Sequence, residues 1–325
     1  VLKTLLQRRG SWTSGEEIAA DLNISRTAIW KHIRSLRLEG CHIEASTKRG
    51  YRISDLPDLL LPEIIKNGLD TKFVGQTIHH FAEVSSTNAL AKDMAPSAKE
   101  GTVILTEVQT EGKGRMDRFW NSPPGGVWMS VIFKPDLHPT MAFKINIAFS
   151  VAIARTLSCL YGLDVGIKWP NDLTIMERKI CGILIEMNAE IDRLNYVVAG
   201  AGINANVCQD KFPIEWRATS LREELGRKVS RVELVQNLLR EIEIVHQEMI
   251  SSFEEVHAEW LRCSVTLGRR VRIISRRREF EGVAFGLDED GALWVRENDG
   301  TETKVLAGDC IHLRSTELGD GFKNF

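Results

Sequence analysis

Lys168-Trp169-Pro170-Asn171-Asp172, followed at 178–186 by Arg-Lys-Ile-Cys-Gly-Ile-Leu-Ile-Glu, is the most informative stretch of this 325-residue chain. Residues 165–169 and 179–188 read as strands. Lys168 and Lys179 stand eleven residues apart, a spacing that fits two strands of one hairpin with both ammonium groups aimed at one site. Lysines on either side of a carboxylate–phosphate junction would stabilise the charge that develops during adenylation. Ordinary strand-end lysines are the plainer alternative.

Outward from this stretch, strands and helices alternate. Further strand patterns cover 77–84, 101–109, 126–133 and 196–203, and a helix begins near Thr87. Residues 143–160 read as a long, mostly apolar helix, and 232–260 as two helices or one broken one. Together they predict a mixed α/β domain over 58–262. Beyond it, four short alternating segments surround Asp-Glu-Asp-Gly and Asn-Asp-Gly turns, which predicts a small β-barrel in 263–325.

Residues 1–57 carry a different pattern: helix, helix, helix, hairpin. Leu2, Leu5 and Leu6 give the first helix an apolar face. Ser14 with Glu17 is a capping box for the second, and Ser25 caps a third over 26–38. In that third helix Ile29, Ile33 and Leu36 form the inner stripe, while Arg26, Thr27, Trp30, Lys31 and Arg34 fall on the other sides. Two short strands flank Ser46-Thr47-Lys48-Arg49-Gly50. This is the layout of a winged helix-turn-helix. Ser25, Arg26, Thr27, Trp30, Lys31 and Arg34 on the recognition helix, with Lys48 and Arg49 at the wing tip, are the candidate DNA-binding residues. Charge agrees: residues 1–55 hold ten Lys/Arg against six Asp/Glu, so this arm is +4 while the whole chain is −2. A small helical domain with a merely solvated basic face is the alternative.

Composition narrows the field further. With 43% hydrophobic and 26% charged residues, the chain is not disordered or fibrous. The six cysteines form no CxxC pair, and neither HExxH nor GxSxG occurs, so a protein-only metal site is not expected. Scattered thiols, no signal-peptide core in residues 1–9 and a longest apolar run of about ten residues predict a cytoplasmic protein without a membrane partner.

Three more clusters carry chemistry. Ser86-Thr87-Asn88 stands at a strand-to-helix junction, where short polar side chains can bond into a pocket or simply cap the helix. Gln109-Thr110-Glu111-Gly112-Lys113-Gly114-Arg115-Met116-Asp117-Arg118-Phe119-Trp120 alternates glycine with basic residues, which suits anion binding, although it is not a P-loop. A solvated basic turn is the alternative there. Gly200-Ala201-Gly202-Ile203-Asn204 superficially matches a dinucleotide fingerprint, but no helix pattern follows it. Glycines there would let a base or sugar approach the backbone.

In this order, STN at 86–88, Q-T-x-GKGR-x-x-R-x-W at 109–120, KWPND, RK-x-x-GILIE and GAGIN, the chain resembles the biotin protein ligases over nearly its whole length. With the N-terminal arm it resembles the bifunctional form that also represses the biotin operon. The resemblance implies an α+β fold of three domains. They are the winged helix-turn-helix, a central ligase domain of the class II synthetase-like kind, and a C-terminal SH3-like β-barrel. It implies two steps: biotin and ATP give biotinyl-5′-AMP, and a lysine of a biotin carboxyl carrier protein then takes the biotin. It also implies roles. Ser86, Thr87 and Gln109 would hold the ureido end of biotin, with Asn88 also among the biotin-binding residues and Lys113, Gly114, Arg115 and Lys179 along the chain and carboxylate. Arg118, Trp120, Asn171, Asp172, Gly202 and Asn204 would serve ATP and its Mg²⁺, and Lys179, Arg115, Lys168 and Arg118 the chemistry. The remaining implied partners are operator DNA and a second copy of the chain once the adenylate is bound.

The basic loop departs from the family pattern GRGRxGR at Lys113 and Asp117. A point charge replaces a guanidinium fork, and a side chain replaces a glycine, which predicts slower loop closure or weaker retention of the intermediate. Two other classes fit less well. A lipoate or octanoate ligase would carry an Arg-rich GGG segment, for which Pro123-Pro124-Gly125-Gly126 is a poor match. A non-catalytic biotin sensor would not need Lys168, Lys179 and Arg115.

Overall fold

The computed structural model describes residues 1–38, 40–213, 216–275, 278–289 and 291–313. Three sheets organise them, of two, seven and five strands.

The N-terminal unit has α1 (Leu2–Gln7), α2 (Gly15–Leu22), α3 (Arg26–Leu38), β1 (His42–Ser46) and β2 (Gly50–Asp55). The capping box forms as expected, with the Ser14 side chain on the Glu17 N–H and the Glu17 side chain on the Ser14 N–H. Ile18, Ile29 and Ile33 are buried between the helices, and Leu5, Ile43 and Ile53 complete the core. The wing sheet gains a piece beyond the two expected strands, because Thr13 bridges to Tyr51. Gly50 makes this possible. Its φ is +91°, and a Cβ there would collide with the Thr13 carbonyl.

The segment that follows the wing is bolted to the central domain. It contains α4 (Pro62–Lys66), with Leu60 and Ile65 fully buried. Asp58 accepts from the Arg231 backbone N–H at 3.0 Å and from Arg231 Nε at 2.9 Å. Arg231 Nη1 reaches Glu107 Oε2 at 2.7 Å, and Glu107 Oε1 accepts the Leu60 N–H at 3.1 Å.

The central sheet takes the order β3-β4-β5-β9-β8-β7-β6. Its strands are β3 (Ile78–Val84), β4 (Thr102–Gln109), β5 (Val127–Phe133), β6 (Gly166–Lys168), β7 (Asp172–Ile175), β8 (Arg178–Ala189) and β9 (Leu194–Ile203). β3 and β4 are parallel, joined through α5 (Thr87–Met94), and the other neighbours are antiparallel. On one face lie α6 (Ala142–Tyr161), α8 (Arg231–Ser251) and α9 (Phe253–Cys263); the short α7 (Leu221–Leu225) comes just before α8. The break expected within 232–260 falls at Ser252. α6 is long and apolar enough to cross a membrane by length and composition, yet 61% of its apolar window is buried in this core.

The C-terminal sheet is antiparallel, in the order β13-β12-β11-β10-β14. It comprises β10 (Arg270–Ile274), β11 (Glu279–Leu287), β12 (Leu293–Glu297), β13 (Glu302–Val305) and β14 (Asp309–His312). β13 and β14 are its two edges, as in a small barrel with an open seam. The last residues of the expected 263–325 domain, 314–325, lie outside the described residues.

Candidate active site

One cavity of about 630 Å³ collects the central-domain clusters singled out in the sequence. That is the size of a small-molecule site. Ser86, Thr87, Asn88 and Gln109 line one part; Lys113, Arg115, Arg118, Lys168 and Lys179 supply five cationic groups. Asp172 and Asp309 are the carboxylates among them.

The polar end is built from hydrogen bonds between elements. Ser86 caps α5 through the Ala89 N–H, so the capping alternative holds for its oxygen while the residue also lines the cavity. Gln109 ends β4, and its Oε1 accepts from the Thr87 N–H at 2.8 Å and the Thr87 hydroxyl at 3.1 Å. Gln109 Nε2 donates to Ser122 Oγ at 2.7 Å. Asn88 is occupied by the protein itself: its Nδ2 donates to the Leu184 carbonyl and to Glu186 Oε2.

Lys168 and Lys179 meet at this cavity by a different route from the one expected. They are not on the two strands of one hairpin. β7 lies between β6 and β8, so two successive hairpins bring them in, and Lys168 pairs in register with Asp172. Lys179 Nζ forms an ion pair with Asp172 Oδ1 at 2.6 Å and lies 4.9 Å from the Trp120 ring centre. The Trp169–Pro170 peptide in the turn from β6 to β7 is cis. Asn171 Nδ2 donates to the Ile183 carbonyl at 2.6 Å, pinning this turn to β8.

The glycines of β8 and β9 serve side chains. A Cβ on Gly182 or Gly202 would run into the Trp120 indole, and one on Gly200 into the Asn88 amide. The close approach expected for a base or sugar at Gly202 is therefore made here by Trp120. Asn204 Nδ2 donates to the Thr219 carbonyl at 2.9 Å, while its buried Oδ1 and the Trp120 indole N–H have no partner among the described residues.

The C-terminal domain completes the wall, which nothing in its sequence signalled. Ile274, Asp309, Cys310 and Ile311 face the cavity. Arg118 pairs with Asp309, and Arg115 Nη1 donates to the Gly308 carbonyl at 3.3 Å. Burial pulls the Arg115 guanidinium below its ordinary pKa, while the charges of Asp309 and Asp172 oppose this. Burial pushes the Cys310 thiol up to about 12, so it faces the cavity protonated. In the loop itself the left-handed residue is Met116, with φ 56°. The Asp117 side chain, which stands where the family pattern has glycine, lies outside what the structure describes.

The N-terminal surface matches the DNA-binding expectation in exposure. Ser25 caps α3 through the Ala28 N–H; Arg26, Thr27, Trp30, Lys31, Arg34, Lys48 and Arg49 are exposed. Several carry local partners, among them Arg34, whose guanidinium lies 5.7 Å from the Trp30 ring centre. Arg26 pairs with Glu16 at 3.2 Å, and the Arg49 guanidinium lies 4.4 Å from the Trp12 ring centre.

Comparison with known proteins agrees across the chain. Residues 80–204 match the biotin/lipoate A/B protein ligase family, residues 1–52 an HTH domain, and residues 266–313 the biotin protein ligase C-terminal domain. The bifunctional ligase/repressor BirA of Bacillus subtilis is 36% identical, over 95% of this chain and 96% of its own. BirA of Escherichia coli is 30% identical, over 96% of each. Among solved structures, the biotin protein ligase from Aquifex aeolicus in complex with biotin and ATP superposes with a TM-score of 0.64 at 26% identity. It covers 74% of this chain and 100% of that one. The chain belongs to the family of bifunctional ligase/repressors, in which a helix-turn-helix arm is joined to a biotin protein ligase.

Proposed function

We propose that this chain is an ATP-dependent biotin protein ligase that also acts as a biotin-responsive repressor of transcription. The observation that carries the reading is the composition of one cavity, with neutral hydrogen-bonding groups at one part and five cations at another. Biotin matches it, because its ureido ring is neutral and its carboxylate is the reacting group. In the first step a biotin carboxylate oxygen bonds to the α-phosphorus of ATP, and the bond to the bridging oxygen breaks, releasing pyrophosphate. In the second, a carrier-domain lysine amine attacks the anhydride carbonyl, and AMP leaves with the bonding pair. Ser86, Thr87 and Gln109 face the ureido ring in this reading, while Asn88 orders the wall. Lys113, Gly114 and Arg115 cover the side chain. Lys168, Lys179, Arg115 and Arg118 offset the charge developing around the α-phosphate.

Trp120 and Asn204 serve the nucleotide. Nδ2 of Asn204 is committed to a carbonyl, so its Oδ1 offers an acceptor that suits a donor such as an exocyclic amine. Asp172 supplies one carboxylate beside the cations, which suits Mg²⁺ arriving on the phosphates of ATP. The metal would neutralise phosphate charge. Asp172 would have to exchange its Lys179 partner to reach it.

The domain limits we adopt are 1–57, 58–262 and 263–325. Recognition of a palindromic operator requires two copies of the arm, and the adenylate-bound chain is proposed to dimerise. Among the described residues, the part of β8 beyond Ile183 has no ladder partner on its β7 side, and Met187 is exposed there, which supports that edge as a contact. Acceptor protein and operator both lie in the cytoplasm, and so does this chain on this reading.

Pyrophosphate exchange into ATP, with biotin, lipoate and octanoate as separate substrates, tests the chemistry. Exchange with biotin alone is expected. Exchange with lipoate would move the assignment to the sister ligases, and tight biotin binding without exchange would leave a sensor.

A further inference from the structure

Ser130 lies in the middle of β5, fully buried, behind the cavity wall. Its hydroxyl sits between two residues of the polar end, 2.8 Å from Thr87 Oγ1 and 2.7 Å from Asn88 Oδ1. A hydroxyl has one proton to give.

Groups that can only give or only accept constrain the proton directions around it. The Thr87 backbone N–H can only donate, so the Gln109 atom it meets is the oxygen. That oxygen is also within reach of the Thr87 hydroxyl proton. Thr87 Oγ1 meets Ser130 either by sharing the one Ser130 proton with Asn88 Oδ1 or by turning its own proton from Gln109 to Ser130 Oγ. Asn88 Nδ2 is held by the Leu184 carbonyl and by Glu186, which pairs with Lys92 at 2.6 Å. Asn88 Oδ1 is thereby turned to Ser130. Opposite, Ser130 pairs in register with Gly200, and a Cβ at Gly200 would occupy the space of the Asn88 amide. Strand β9 leaves a hole for this relay.

What remains toward the cavity is a second Thr87 Oγ1 lone pair, the second Gln109 Nε2 proton and the Ser86 hydroxyl proton. A cyclic urea has the complementary set: N–H donors and a carbonyl acceptor. We propose that Ser130 is a positioning residue for the ureido ring. It never touches the ligand; it holds the Thr87 hydroxyl and the Asn88 amide in place, and so limits which lone pairs and proton Thr87 presents to the ring. The proposal rests on the biotin reading above.

The test uses the full chain and its Ser130→Ala and Ser130→Cys variants in pyrophosphate exchange. The substrates are biotin and 2-iminobiotin, whose ring replaces the carbonyl acceptor by a nitrogen. For Ser130→Ala the biotin KM should rise about tenfold, the scale of one hydrogen bond, with kcat and the ATP KM nearly unchanged. The preference for biotin over iminobiotin should shrink. Ser130→Cys, with a weaker donor of similar shape, should fall between. An unchanged biotin KM overturns the proposal. So does a parallel rise in both KM values with the preference intact, because that is general loosening of the site. Unmutated protein that shows no exchange with biotin would overturn the ligase reading and this proposal with it.

Discussion

Glu107→Gln tests whether the segment that follows the DNA-binding arm is anchored to the ligase core by charge. The Arg231 side chain is 4% exposed and that of Glu107 14%, and they meet at 2.7 Å. Removing one member of a buried pair costs about 3–5 kcal/mol. Here Asp58 still faces Arg231, but its side chain is 44% exposed, so its charge is partly screened by water. Glutamine offers one oxygen where Glu107 uses two, one for Arg231 and one for the Leu60 N–H and His80. We expect a loss of about 2–3 kcal/mol, because Asp58 offsets the rest. At about 2–4 °C per kcal/mol for larger domains, the thermal midpoint of the unit containing β4 should fall by roughly 5–10 °C. Thermal melts of the two proteins at pH 7 measure it. A drop under about 2 °C would mean that Asp58 alone neutralises Arg231, and the anchoring argument would fail.

The same carboxylate sets a pH dependence. Burial opposes its ionisation, but the His80 hydrogen bond, the Arg231 charge and the Leu60 N–H outweigh this and lower its pKa. A folded-state pKa below the unfolded one gives stability that is present above the unfolded value and lost as pH falls through the folded value. The difference between wild type and Glu107→Gln should be full at pH 7 and close below about pH 4.

Three further outcomes follow from the site and the arm. Asp309→Asn frees Arg118, whose side chain is 66% exposed, and should raise AMP release without carrier protein about threefold, the scale of one screened ion pair. No change in carrier-independent AMP would remove the C-terminal domain from loop retention. Asp117→Gly should slow release of the adenylate, measured as its off-rate, and an unchanged rate would show that residue 117 does not limit the loop. Lys31→Ala and Arg34→Ala should each weaken operator binding and reduce its salt slope by about 1 if they meet phosphate. A slope identical to wild type would place that residue off the backbone.

Much of this protein was legible in the residues themselves. The capping box at Ser14–Glu17, the apolar stripe of α3 and the strand patterns around 77–84, 101–109 and 126–133 are local, because caps and side-chain periods act over a few residues. The site clusters were local too, since each motif sits on one turn or strand end. What tertiary structure alone decided is their partnership. β7 between Lys168 and Lys179 follows from sheet register. The indole over Gly182 and Gly202 follows from the path of a loop. Asp309 reaches Arg118 across 191 positions of sequence, and Ser130 reaches Thr87 across 43. Nothing within either segment marks such a contact, because a hydrogen bond needs only two groups brought within about 3 Å, and folding, not spacing, brings them there.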